Sequence, residues 1–359
     1  MLRFEPRHET WGAALLLAPV AAIGFTLLVS TLLVAWAGAP VGRTYALMLQ
    51  GGFGSVFAWS ETLTRAVPLI LTGLAATVAF KARLYNIGAE GQLYAGALAA
   101  VAVGGVAPGS ELAAPVWLMF PAMLLAAALA GAMLLLVPAL LKARLGVDEV
   151  VTTLLFNFIA LLGVSALLDG AMKDPAALGW PQSLALAGEL ELRKLVPGTR
   201  VHSGLLLAAA LALALAAIFK YTLLGFQIRA SGANPRAAAF VGVPALRTTL
   251  IVALLSGALA GLAGAVEVAG RTGYVTLDMS PGYGYSGIVI AMLAALNPLG
   301  VLGAAIFIAG VLVGADSMSR AIGVPTYLAD VIVATSLLSV LVAALFTQYR
   351  VRWRAGGAQ

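Results

Sequence analysis

Asn86, Glu90 and Gln92 stand within seven residues of one another, in the stretch YNIGAEGQ, in a chain otherwise poor in reactive groups. The two uncharged amides can exchange hydrogen bonds with a neutral polar molecule, the carboxylate between them fixes the local backbone, and Gly88 and Gly91 loosen the chain that carries them. Asn86 can cap a new helix, whose positive N-terminal end then favours Glu90 nearby. Long apolar runs flank the stretch, and two readings of it stand. One is a helix break at membrane depth, which survives only where protein or a wet cavity covers its backbone. The other is a cytoplasmic turn anchored by Lys81 and Arg83.

Other chemistry lacks its parts. GYGYSG, residues 282–287, satisfies Gly-x-Gly-x-x-Gly, but a Pro-bearing loop and an apolar run flank it where a dinucleotide site needs a strand and a βαβ unit. The same residues contain Gly-x-Ser-Gly, yet no His follows to activate Ser286. His8 and His202 lie outside the apolar runs, and the chain has no Cys, so a metal centre has almost no ligands to use. Neither His-Glu-x-x-His nor the P-loop pattern occurs, so no ATP site of that kind belongs to this chain. Glu267 has Arg271 four residues on, and Asp316 has Arg320, spacings that suit structural ion pairs on a helix.

The elements that must position these groups are membrane spans. The chain has 359 residues, 62% of them hydrophobic and 10% charged, against about 25% charged in a soluble domain. Hydropathy, punctuated by Gly, Pro and charge, predicts ten spans at about 11–37, 63–82, 88–106, 115–141, 150–168, 204–221, 246–270, 283–296, 299–316 and 326–346. The expected fold is all-α, a polytopic helical bundle. The run at 11–37 ends in AWAGAP, but it is nearly twice the length of a signal-peptide core, which favours a retained span. With the N-terminus inside, 13 Lys and Arg fall on cytoplasmic segments and 8 on external ones, so both termini are expected in the cytoplasm. The formal charge of +6 therefore reports topology and lipid contact rather than nucleic-acid binding. On this reading residues 1–10 are a cytoplasmic tail, 11–346 the transmembrane domain and 347–359 a basic cytoplasmic tail. A long outer loop spans 169–203, and a long cytoplasmic segment spans about 225–245. GALAG at 257–261 and GVLVG at 310–314 suit close helix crossings within one subunit.

YNIGAEGQLYAG resembles the signature of permease subunits from ATP-binding-cassette importers, in the branch that handles nucleosides and simple sugars. Three further stretches resemble the same family in the same order: GVDEVVTTLLFNFIA at 146–160, GFQIRASGANPRAAAFVGV at 225–243, and GYGYSGIVIAMLAALNPLG at 282–300. The resemblance implies an importer subunit in a bacterial inner membrane, working by alternating access. It implies no cofactor in this chain, because ATP is bound by partner ATPase subunits. Its other partners are an extracytoplasmic binding protein and a second, paralogous permease subunit in a heterodimer. It places Asn86, Glu90, Gln92 and Asn157 along the substrate pathway, with nucleosides as the first cargo and simple sugars as the second. It makes Gly232, Asn234, Pro235, Arg236, Ala237, Ala238 and Gly242 the coupling segment, similar to the Glu-Ala-Ala-x-x-x-Gly pattern with Arg236 where Glu would stand. Asn234 as cap and Pro235 at the first helical position are sound local chemistry for that helix. The alternative is a transporter driven by an ion gradient, for which Glu90 is the one attractive coupling group.

Overall fold

The computed structural model describes residues 2–6, 24–25, 28–36, 38–107, 109–323 and 349–353, with residues 331, 334, 335, 338, 339 and 342 between the last two stretches. The described chain is helical except for one antiparallel ribbon, in which β1 (Leu2–Pro6) pairs with β2 (Tyr349–Trp353) and brings the two chain ends together. It divides into two compact units, residues 1–59 with 310–359, and residues 60–309. The predicted spans at 11–37 and 326–346 lie largely outside the described residues.

In the first unit α1 (Leu28–Trp36) and α2 (Val41–Phe53) are set 115° apart. Helix α2 lies in the segment between the predicted spans at 11–37 and 63–82. Arg43, Gln50 and the glycines at 51 and 52 keep its hydropathy below that of a span. The GVLVG glycines serve it: Gly310 lies against the Phe53 ring and Gly314 against the Met48 backbone, with no room for a Cβ at either.

The second unit takes in most of α3 (Val56–Lys81), then α4 (Ala89–Gly104), α5 (Val116–Leu145), α6 (Glu149–Asp169), α7 (Gly204–Tyr221), α8 (Leu223–Ala233), α9 (Pro235–Phe240), α10 (Ala245–Glu267), α11 (Tyr283–Leu293) and the start of α12 (Pro298–Ile322). A π turn, Val268–Thr272, extends α10. Among the described residues six helices are long and apolar enough to cross a membrane: α3, α5, α6, α7, α10 with its π turn, and α12. The bent pair α1 and α2 would make a seventh. Two predicted spans come out short. Helix α4 has 16 residues, about 24 Å, and α11 has 11 residues, about 16 Å, against a hydrocarbon core of about 30 Å.

The centre of this unit is a stack of α4, α5 and α10 in backbone contact. Apolar side chains gain little by leaving lipid for protein, so such helices associate through close packing of small residues. Gly257 and Gly261 of the GALAG stretch lie on Gly131 and Ala127 of α5, and Gly96 of α4 lies on Gly261 from the other side. These glycines pack inside one subunit, as the sequence suggests. Helices α5, α6 and α7 turn apolar side chains such as Leu129, Phe158 and Leu206 outwards, while α3 is enclosed along most of its length.

Candidate functional site

The polar stretch between α3 and α4 is folded back into the bundle. Ser256, eleven residues into α10, donates to the Ala75 carbonyl of α3 at 2.8 Å and accepts from Asn86 Nδ2 at 3.1 Å. Ala75, Ser256 and Asn86 therefore share one level. The chain descends six residues from Ala75 to Lys81, about 9 Å, turns, and climbs again as extended backbone before α4 begins. Asn86 is 0% exposed, Glu90 4%, Gln92 2% and Asn157 1%, so the stretch is a buried break and not a solvated turn.

Asn86 and Gln92 bond each other through both side-chain amide groups, each bond 2.9 Å long, and Asn86 Oδ1 also accepts from the Gly88 backbone amide. Asn86, which also bonds Ser256, is thus fully engaged inside the fold, and Gln92 is held to it through both its oxygen and its nitrogen. The broken backbone around them is completed by one face of α6. Glu149 accepts from the Tyr85 amide at 3.3 Å, and Thr153 from the Ile87 amide at 3.2 Å. Asn157 accepts from the Gly91 amide at 2.7 Å and donates to the Ile87 carbonyl at 2.8 Å. The spacing of four residues sets all three on one helical face. Lys142 closes the group by bonding Glu149 at 2.5 Å and the Arg83 carbonyl at 2.6 Å. Asn157 also reaches the hydroxyl of Tyr285, a half-exposed residue, at 3.2 Å.

Glu90 meets a second broken span. Its Oε2 accepts from the Gly284 amide, in the first turn of α11, at 2.6 Å. The carboxylate thus lies at two positive helix ends, that of α4 and that of α11, a placement that stabilises negative charge. No Cβ fits at Gly284, because the Glu90 Cα and Ala89 carbonyl carbon lie 2.6 and 2.7 Å from where it would stand. Tyr94, one turn past Glu90, holds the approach to α11 by donating to the Leu277 carbonyl at 2.5 Å and accepting from the Ser280 amide. At the other end of α11, Lys81 Nζ donates to the Leu296 carbonyl at 2.9 Å. Glu90 therefore sits about one α11 length, about 16 Å, from the end of the bundle marked by Lys81, which is half a hydrocarbon core.

At that basic end, the end of α8 lies against the α3–α4 turn, and α9 follows it. Gly232 packs directly on the Lys81 carbonyl, leaving no space for a side chain, and Arg83 donates to the Ala233 carbonyl at 3.3 Å. Asn234 Oδ1 accepts from the amides of Arg236 and Ala237 at 3.1 and 3.2 Å, and Pro235 takes the first helical position, as the sequence predicts. Gly242, at φ +84°, ends the segment in a conformation that favours glycine. Of the residues expected to couple, Ala238 is buried, while Arg236 and Ala237 are exposed. Phe240 and Val241, which sequence reasoning passed over, are 93% and 67% exposed.

At the opposite end the loop between α6 and α7 is an ordered strap. Leu192 donates to the Ala269 carbonyl at 2.8 Å, Leu186 to that of Gly273 at 2.7 Å, and Ser183 to that of Val275 at 3.1 Å. Arg271, in the π turn, pairs with buried Glu267 and donates to the Tyr283 hydroxyl at 3.1 Å. His202 is 1% exposed: its Nδ1 accepts from the Gly204 amide at 3.2 Å and its ring fills the space beside Gly270. Burial pushes its pKa down from 6.5 to about 4. The unfolded strap takes up the proton that the folded strap refuses, so strap stability is complete above pH 6.5 and declines as the pH falls towards 4. The shift corresponds to at most about 3 kcal/mol. Exchange of the Leu186 and Leu192 amides, corrected for intrinsic rate, is expected to quicken across that window in the wild-type chain. His202→Gln should remove the pH dependence, and equal protection at both ends of the window would refute it.

A protein family described as the branched-chain amino acid transport system, permease component, matches residues 58–341. The chain is 38% identical over 317 residues to the glucose ABC transporter permease protein TsgB13 of Haloferax volcanii, covering 86% of this chain and 82% of that protein. It is 34% identical over 327 residues to the guanosine ABC transporter permease protein NupP of Bacillus subtilis, covering 90% and 92%. A second guanosine permease protein of the same organism, NupQ, is 30% identical over 253 residues, covering 68% and 77%.

Proposed function

The chain belongs to the branched-chain amino acid transport system permease family, and we propose that it forms one half of the translocation unit of an ATP-driven importer for a neutral, hydroxylated solute. Nucleosides are the first cargo and simple sugars the second. TsgB13 and NupP are named for glucose and guanosine, which share a ring bearing neighbouring hydroxyls. ATP is bound by partner ATPase subunits, and cargo is delivered by an extracytoplasmic binding protein. A second, different permease subunit completes the unit, a reading supported by the paired guanosine permeases NupP and NupQ.

The observation that carries this reading is the seating of the end of α8 on the α3–α4 turn. Helix α8 touches that turn at Gly232 and Ala233, and α9, which follows it directly, turns Arg236, Ala237 and Phe240 outwards, so the pair can pass rigid-body motion from an ATPase into the spans. The pathway runs beside the two broken helices, whose termini meet half a membrane deep, an arrangement found where transporters handle cargo. There Asn86, Gln92 and Glu90 hold the break in shape, and Asn157, with Tyr285 beside it, is the member of the group nearest an accessible surface. We place α8 and α9 in the cytoplasm of a bacterium and the strap outside its inner membrane. Ten spans in all would return both ends to the cytoplasm, and the β1–β2 ribbon supports a shared face for them.

Cysteine labelling tests the placement. Cysteine at Gly188 in the strap is expected to react with an impermeant reagent from outside, cysteine at Ser231 only from inside, and cysteine at Ala237 to cross-link to the ATPase. Reversed labelling would overturn the orientation, and an active complex lacking the cross-link would move the ATPase contact elsewhere.

A further inference from the structure

We propose that Arg271, Tyr283 and Glu90 are positioning residues for transport. With the Tyr283–Gly284 backbone they form the junction through which a protein seated on the outer strap acts on the break at the coupling end. The inference rests on the permease reading above and adds to it which groups carry the signal.

Each step is a direct contact. The strap amides of Leu192, Leu186 and Ser183 bond carbonyls at Ala269, Gly273 and Val275, so a displaced strap takes the π turn and the residues after it along. π turns hold an extra residue in the helix and recur at functional sites because that residue can be moved without unwinding the rest. This one carries Arg271, fixed on one side by Glu267 and joined on the other to the Tyr283 hydroxyl. Tyr283 is fully buried, and its carbonyl accepts from Thr72 Oγ1 of α3 at 2.9 Å. The next residue is Gly284, whose amide bonds Glu90 and whose Cα lies on the α4 backbone without space for one carbon atom. Two adjacent residues therefore touch the π turn, α3 and α4 at once, and the contact of Gly284 with α4 has no slack to absorb a shift. From Glu90 the chain leads back four residues to Asn86 and then to the turn at Arg83, on which α8 sits.

Contact alone does not show that energy is transmitted, so the test must read coupling rather than stability. Tyr283→Phe removes one hydroxyl and leaves the ring in place. The complete complex of this chain with its permease partner, ATPase and binding protein is reconstituted, and ATP hydrolysis is measured with and without the binding protein loaded with guanosine or with glucose. Basal hydrolysis and assembly are expected to match wild type, while stimulation by the loaded binding protein falls about fivefold, equivalent to about 1 kcal/mol of coupling. Glu90→Gln should lower the same ratio, and the double variant should be no worse than the weaker single one, because both act in one chain of contacts. A merely structural role would lower basal and stimulated rates together and leave their ratio unchanged, which overturns the proposal, as does a wild-type ratio in Tyr283→Phe. If the wild-type complex itself is not stimulated by either loaded form, the permease reading has failed first, and the two failures are told apart.

Discussion

Gly284→Ala is expected to abolish uptake while the chain still inserts in the membrane. The added carbon would stand 2.6 Å from Glu90 Cα and 2.7 Å from the Ala89 carbonyl carbon. Both are backbone atoms in the first turn of α4, so no side-chain rotation relieves the overlap. Helix α11 must lift from α4, and Glu90 then loses the amide that solvates it in the bundle interior. Overpacking costs roughly 1–3 kcal/mol, and a buried carboxyl group left without its hydrogen bond about as much again. The initial rate of guanosine or glucose uptake, at matched membrane abundance, should fall to background. A wild-type rate would show that the two helix ends are not held together during transport.

Phe240→Asp is expected to release the ATPase without disturbing the subunit. Phe240 is 93% exposed, so the isolated chain loses nothing when the ring is removed. A large aromatic group at the centre of a partner interface contributes on the order of 3 kcal/mol, about a hundredfold in affinity. The charge that replaces it meets apolar partner surface and adds to the loss. Co-purification of the ATPase should fall by at least that factor, with the melting temperature of the subunit unchanged. Undiminished co-purification would move the docking surface off α9. Ala238 offers a weaker experiment, because it is buried against its own subunit and a bulky substitution there perturbs the fold itself.

The parts of this architecture that depend on local chemistry were legible from the sequence. Asn234 and Pro235 start α9 as expected, because capping is settled by a few neighbouring residues. The GALAG and GVLVG glycines lie at close helix contacts, as small residues spaced by four in apolar helices suggest. The ion pair of Glu267 with Arg271 likewise follows from spacing on one helical face. Hydropathy located α4 and α11 to within three residues at either end, and the excess beyond α11 is the turn at 294–296, whose apolar residues carry no mark of where the helix stops. The Gly284 contact of Glu90 was not legible. It is with a backbone amide 194 positions away, and a backbone donor leaves no mark on residue type. Asn86 and Gln92 read as groups available to cargo because sequence cannot show that two amides six residues apart will satisfy each other. The Glu149, Thr153 and Asn157 face could have been found as a polar stripe of period four in an otherwise apolar helix.

The most direct measurement is accumulation of labelled guanosine or glucose by sealed vesicles that hold the complete complex. ATP is supplied on the side of α9, the loaded binding protein on the side of the strap, and proton and sodium gradients are collapsed. The account predicts accumulation that requires both ATP and the binding protein and is indifferent to ionophores. Accumulation by this chain without ATP, driven by an imposed ion gradient, would contradict it.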